Sequence, residues 1–154
     1  VMCNKCSHIS HPTITNLVVG RSGCVHCNFS RGERSCADIL TNMGIEFIAQ
    51  YTLGGRKRKP FDFYFNHMGR DFLLEYDGQQ HFTYVSHFHR DENHFHKRQR
   101  DDATKMRTAM RKGFRIIRID HTQEAKIEVH LRAAFTVHAK VYLSSPEMYD
   151  YLGL

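Results

Sequence analysis

Apolar positions along this chain recur with two periods, and the switches between them mark its elements. The first block opens at Ser30-Arg31-Gly32-Glu33, where Ser30 and Glu33 stand at capping-box spacing. Cys36, Ala37, Ile39, Leu40 and Met43 follow at helical intervals, and Gly44 predicts the stop. The period then falls to two. Residues 45–51, 60–65 and 72–77 read as three strands, with Asn66 to Arg70 as the turn between the last two. Residues 94–112 predict a basic helix ending at Gly113, and 114–119 a fourth strand. Residues 123–143 read as a last helix with Ile127, Leu131, Ala134, His138 and Val141 along one stripe. Residues 144–154 are left as a C-terminal tail in which Tyr149, Tyr151 and Leu152 are available to pack back.

This order, α-β-β-β-α-β-α, predicts an α/β protein with one mixed central sheet and helices on both faces. At 154 residues the chain suits one domain with a small appendage. With 41% hydrophobic and 25% charged residues the composition is globular rather than disordered. Mean hydropathy is −0.52, and no apolar run approaches the ~20 residues a membrane-spanning helix needs. No signal-peptide pattern is present, which points to an intracellular protein. A start at Val1 rather than Met suggests a processed product or part of a longer protein.

Cysteine spacing supplies the appendage. Cys3-x-x-Cys6 and Cys24-x-x-Cys27 fit a tetrahedral Cys₄ zinc site, each pair forming a knuckle around the ion. Residues 1–30 would then be a zinc ribbon, too short for a core of its own and folded largely by metal binding. The other reading is two disulfides in a secreted protein, against which stand the odd fifth cysteine and the missing signal peptide. Cys36, inside the first predicted helix, is expected to be a small buried side chain.

Charge changes the picture further. Lys plus Arg number 22 against 16 for Asp plus Glu, a net +6, with a pI near 9.2. Such a balance suits a polyanionic partner, or simple solubility. The charge is concentrated. Nine basic residues face two acidic ones between Lys97 and Arg118, a net +7, and Arg56-Lys57-Arg58-Lys59 form a basic loop. Arg56, Lys57, Arg58, Lys59, Lys97, Arg98, Arg100 and Lys105 are the expected nucleic-acid contacts. The 56–59 run also resembles a weak nuclear import signal. His87, His89, His94 and His96 form a cluster with Phe88 and Phe95 that reads as a loop touching substrate or solvent, or as a second metal site.

The acids complete the site. Phe61, Phe63 and Phe65 share one strand face and Asp62 and Tyr64 the other. A hairpin turning on Met68-Gly69 sets Asp62 directly opposite Glu75, with Cβ atoms ~5 Å apart. Two carboxylates so close repel unless a cation lies between them, and an all-oxygen donor set selects Mg²⁺ or a similar hard ion. Without a cation, the pair would be an exposed acidic face neutralised by nearby Lys and Arg. A one-residue slip would separate them.

Five segments together resemble one family. They are Gly32-Glu33, Pro60-Phe61-Asp62-Phe63-Tyr64, Glu75-Tyr76-Asp77-Gly78-Gln79-Gln80-His81-Phe82, Arg100-Asp101-Asp102-Ala103-Thr104-Lys105 and Phe114-Arg115-Ile116-Ile117-Arg118-Ile119. They are similar to the PD-(D/E)xK nucleases related to the very short patch repair endonuclease, in particular the zinc-ribbon-bearing forms of large DNA viruses, phages and mobile elements. The resemblance covers roughly residues 20–120. It implies a restriction-endonuclease-like αβββαβ core over residues 31–143 and a Mg²⁺-dependent (or Mn²⁺-dependent) DNA endonuclease or nickase that hydrolyses phosphodiesters with a metal-bound water. It implies Asp62 and Glu75 as metal-binding acids and Glu33 near the metal water or a second ion. His81 is implied as general base or leaving-group assistant, with Asp102, or its neighbour Asp101, holding it or a metal water. The family's lysine, two residues after Glu75, is Asp77 here. Gln79 and Gln80 could orient a phosphate in its place. That departure keeps a second reading open, a catalytically inactive zinc-dependent nucleic-acid-binding module. A third is an adaptor that grips acidic protein. Double-stranded DNA is the expected partner, in cytoplasm or nucleus, with no membrane.

Overall fold

The computed structural model describes residues 2–4, 24, 26–54 and 59–154. Helix α1 spans Arg31–Asn42 and opens with the expected capping box: the Glu33 N–H donates to Ser30 Oγ at 3.3 Å and the Ser30 N–H to Glu33 Oε2 at 2.7 Å. Gly32 lies against the ring of Tyr76, so that an added Cβ would sit 1.9 Å from Tyr76 Cε1. Glycine is required there for close approach of helix to sheet.

Strand β1 covers Ile48–Tyr51, β2 Phe61–His67 and β3 Arg70–Asp77. Residues 45–47, expected as the start of β1, are not part of the strand, although Ile45 is buried. The turn between β2 and β3 is the two-residue Met68-Gly69, with φ of 52° and 74°. Both residues have the positive φ of a type I′ hairpin. The ladder pairs Phe63 with Leu74 and His67 with Arg70. That is the expected register, and one residue further it sets Asp62 across from Glu75.

Helix α2 runs Glu92–Arg111, capped by Asp91, and β4 spans Arg115–Asp120. The expected helix over 123–143 is replaced by three elements. Residues His121–Lys126 form a 3-10 turn, helix α3 covers Ile127–Thr136, and β5 covers Val141–Leu143. His138 and Val141 therefore leave the predicted helical stripe. Val141-Tyr142-Leu143 bond to β4 instead, as a parallel edge strand. Residues Pro146–Leu152 are a further 3-10 segment with Tyr149 and Leu152 buried.

The five strands form one mixed sheet in the order β1-β2-β3-β4-β5, with antiparallel pairs up to β3 and parallel pairs after it. One face packs Phe63, Phe65, Phe72, Leu74, Ile117 and Ile119 against α1 and α3. The other packs Leu73 and Ile116 against Met106 and Ala109 of α2 and against Tyr149 and Leu152. Phe61 departs from the expected alternation. As the first residue of β2 it joins this second cluster, while Phe63 and Phe65 belong to the first. No helix among the described residues is long and apolar enough to cross a membrane.

Candidate functional site

The central strands β3 and β4 carry charge into the interior on the α2 face. Glu75 and Asp77 alternate with Leu74 and Tyr76 on β3, and Arg118 on β4 is in register with Glu75. All three are buried, Arg118 completely. Burial of charge is tolerable only with close partners. The Arg118 guanidinium grips Asp77 in a bidentate pair, Nε to Oδ2 at 2.8 Å and Nη2 to Oδ1 at 2.6 Å, and reaches Asp102 Oδ2 of α2 at 2.7 Å. Tyr149 and Tyr151 donate to Asp77 Oδ2 and Asp102 Oδ2, both at 2.9 Å. Burial, together with Asp77 for Tyr149 and Asp102 for Tyr151, pushes both phenols far above their usual range and keeps them donors. Asp102, although partly buried, is held well below the usual carboxylate range by Arg118 and His81.

His81 sits at the mouth of this network, in the 3-10 turn that follows β3. Its Nδ1 lies 3.4 Å from Asp77 Oδ1 and 3.6 Å from Asp102 Oδ2. Gln99 Nε2 fixes its backbone carbonyl at 3.3 Å. Burial disfavours the imidazolium, but the hydrogen bond to Asp102 and the charges of Asp77 and Asp102 outweigh it and raise the pKa. Asp77, His81 and Asp102 are near enough to share a metal ion. The Arg118 guanidinium already supplies positive charge between the two carboxylates, so the trio reads as a cradle for a charged histidine.

Beside it opens a cavity of about 530 Å³ whose walls include Asp62, Glu75, Gln80, His81, Asp102 and Lys105. Burial and the facing Glu75 push the Asp62 carboxyl well above its usual range, against the Tyr76 N–H that donates to Asp62 Oδ2 at 2.8 Å. Lys105, one helical turn beyond Asp102, directs its ammonium to Glu75 Oε1 and to the Pro60 carbonyl, and lies 4.0 Å over the Phe61 ring. Glu75 Oε2 is buried and, among the described residues, accepts no hydrogen bond. It lies 3.7 Å from Arg118 Nη2, an ion pair beyond hydrogen-bond length, and a hard oxygen donor with no hydrogen bond beside a destabilised carboxylate fits a divalent cation.

Of the other expected residues, some line the cavity and others fall elsewhere. Glu33 adds to the repulsion on Asp62, but its oxygens are engaged by the Ser30 N–H and by Gln50 Nε2 at 3.2 Å. Gln50, in the left-handed region at φ 54°, lies in β1 between the residues that pair with Phe61 and Phe63. Lys59 and Arg98 line the cavity with Asp101 and Gln99, and Arg100 is exposed. Arg56, Lys57 and Arg58 lie outside the described residues. Much of the +7 stretch serves the fold: Arg107 donates to the Leu152 carbonyl, Lys112 to that of Leu53, and Arg115 to those of Val137 and Ala139. The sequence reading placed Lys105 among phosphate contacts and missed the roles of Arg118, Tyr149 and Tyr151. Lys105 had a signal, since its i+3 spacing from Asp102 puts both on one helix face. The tyrosines had none.

At the N-terminus Cys3, Cys24 and Cys27 bring their sulfurs within 4.8 Å of one another, with Cys3 and Cys27 Sγ 3.7 Å apart. Tetrahedral thiolates ~2.3 Å from one ion would stand ~3.8 Å apart, so the cluster fits a metal. Cys6, the fourth expected ligand, lies outside the described residues. Comparison with protein-family models, curated proteins and solved structures finds no match to this chain.

Proposed function

We propose that the chain is a metal-dependent DNA endonuclease or nickase with a restriction-endonuclease-like core and a structural zinc at its N-terminal cysteines. The single observation that carries this reading is the Asp62–Glu75 pair, two opposed carboxylates at one cavity wall, with Glu75 Oε2 accepting no hydrogen bond among the described residues. The strand order and the resemblance to the PD-(D/E)xK nucleases support it.

Asp62 and Glu75 would hold Mg²⁺ or Mn²⁺. When bound, the ion supplies Lewis-acid stabilisation of the phosphoryl charge and an acidified water. Around it the chain's own residues divide the work. Lys105, on Glu75 Oε1, provides the ammonium that Asp77 cannot provide from the family's lysine position. Asp77 instead anchors Arg118. His81, its pKa raised by Asp102 and Asp77 against burial, can pass a proton to the leaving oxygen as a general acid. Gln80 and Gln99 line the same cavity and can donate to phosphate oxygens.

A second reading is favoured by one contact. Lys105 neutralises Glu75 within the protein, which is what a non-catalytic nucleic-acid-binding module would need. Supercoiled plasmid distinguishes the two. The nuclease reading expects conversion to nicked or linear form with Mg²⁺ and none with EDTA. Salt-sensitive binding with no cleavage in Mg²⁺ or Mn²⁺ would establish the binding module.

A further inference from the structure

A second, smaller cavity adjoins the first. It has about 280 Å³ and is lined by Lys59, His94, Lys97, Arg98 and Asp101. Lys59, Arg98 and Asp101 belong to both cavities, so the two are continuous along the start of α2. Three permanent cations face one carboxylate here, leaving an excess of two positive charges. Burial and then the neighbouring Arg98 lower the Lys59 pKa, so its charge is held at a cost. His94 Nδ1 is buried and, among the described residues, has no hydrogen-bond partner. The cavity thus combines cationic crowding with an unused polar atom, and both are relieved by an anion.

The helix end does not explain the site. Asp91 already caps α2 by accepting from the His94 N–H at 2.7 Å, and Lys59 comes from the opposite side, before β2. Nor is this ordinary surface charge of the kind seen along the rest of α2. Arg107 and Lys112 spend their donors on backbone carbonyls. Of the cavity's cations, Arg98 gives Nη1 to the Phe88 carbonyl at 3.4 Å, whereas Lys97 makes no such contact among the described residues. The lining side chains end in ammonium, guanidinium and imidazole groups beside the single Asp101 carboxylate, a set of donors that suits a tetrahedral oxyanion.

We propose that this cavity is a phosphate subsite, receiving a strand phosphate next to the one held over Asp62 and Glu75. Its identity as a strand phosphate rests on the nuclease reading. The binding of phosphate itself does not. The two cavities then grip phosphates of one strand, and the shared residues Lys59, Arg98 and Asp101 lie between them.

The test is a titration of the full chain with inorganic phosphate, with no divalent ion added, followed by ¹H–¹⁵N spectra. Lys97→Ala is compared with Lys140→Ala, which removes an exposed lysine at a distance from the cavity in sequence and fold. Saturable shifts at His94, Lys97 and Arg98, weakened roughly ten-fold by Lys97→Ala and unchanged by Lys140→Ala, are expected. Absence of shifts, equal weakening by both variants, or an equal response to acetate would overturn the proposal. Cleavage and added metal play no part in this titration, so its failure is separate from failure of the nuclease reading.

Discussion

Burial and the facing Glu75 hold the Asp62 carboxyl well above its ordinary range, and this fixes the sign of a stability effect. A folded-state pKa raised above the unfolded value means that the ionised group destabilises the fold above its folded pKa. The penalty shrinks as pH falls through that value and disappears below the unfolded one. Asp62→Asn removes the charge and keeps an oxygen for the Tyr76 N–H. At pH 7 without divalent ions the variant is expected to melt about 2–4 °C higher, equivalent to roughly 1 kcal/mol in a domain of this size. The gain should fade on acidification. A lower melting temperature at pH 7 would mean that the carboxylate is a structural partner. At this scale the opposition of Asp62 and Glu75 was legible in the sequence, because the strand period and a short glycine turn fix which residues oppose. Arg118 and Tyr149 were not. Their shared partner Asp77 lies 41 and 72 residues away, and no local pattern records such a distance.

Among the elements, the β2–β3 hairpin decides whether the site exists, since a slip of one residue would send one acid to the other face. Its turn carries a mild strain. Met68 adopts φ 52° and is 78% exposed, so a methionine occupies a position that favours Asn, Asp or Gly. Met68→Asn is expected to stabilise the protein by about 0.5–1 kcal/mol, read as a higher denaturant midpoint with an unchanged slope. No gain would indicate that another turn conformation forms in solution. The C-terminal third shows where periodicity misleads. Ile127, Leu131 and Ala134 are buried on one helical face as expected, but extending their stripe to Val141 overlooked a second option. A β-branched, aromatic, apolar triplet beside the parallel edge of β4 gains more from ladder bonds than from another helical turn. The 3-10 segment Pro146–Leu152 was illegible for a related reason, because its two tyrosines serve the charge network and follow no period.

On the scale of the whole molecule, the sheet separates two kinds of interior. The α1–α3 face is apolar, whereas the α2 face combines an apolar cluster with the buried charges. That division explains why the fold class could be read from hydrophobic pattern and the site only in part. It also divides the net +6. Some of the basic residues hold carbonyls and carboxylates, Lys105 and Arg98 among them, whereas Lys97 at the second cavity makes no such contact among the described residues. The N-terminal cysteines add a separate expectation: metal analysis of natively purified protein should find about one zinc per chain. Protein that contains none would remove the zinc assignment and leave the sheet and its cavities as described. The proposed nuclease activity requires Asp62 and Glu75 to act together on a phosphodiester. The most direct measurement is plasmid cleavage in Mg²⁺ by the native chain, Asp62→Asn and Glu75→Gln, with DNA binding measured in parallel. Each variant is expected to keep DNA binding and lose more than about 100-fold in cleavage rate, while cleavage at the native rate by either variant would contradict it.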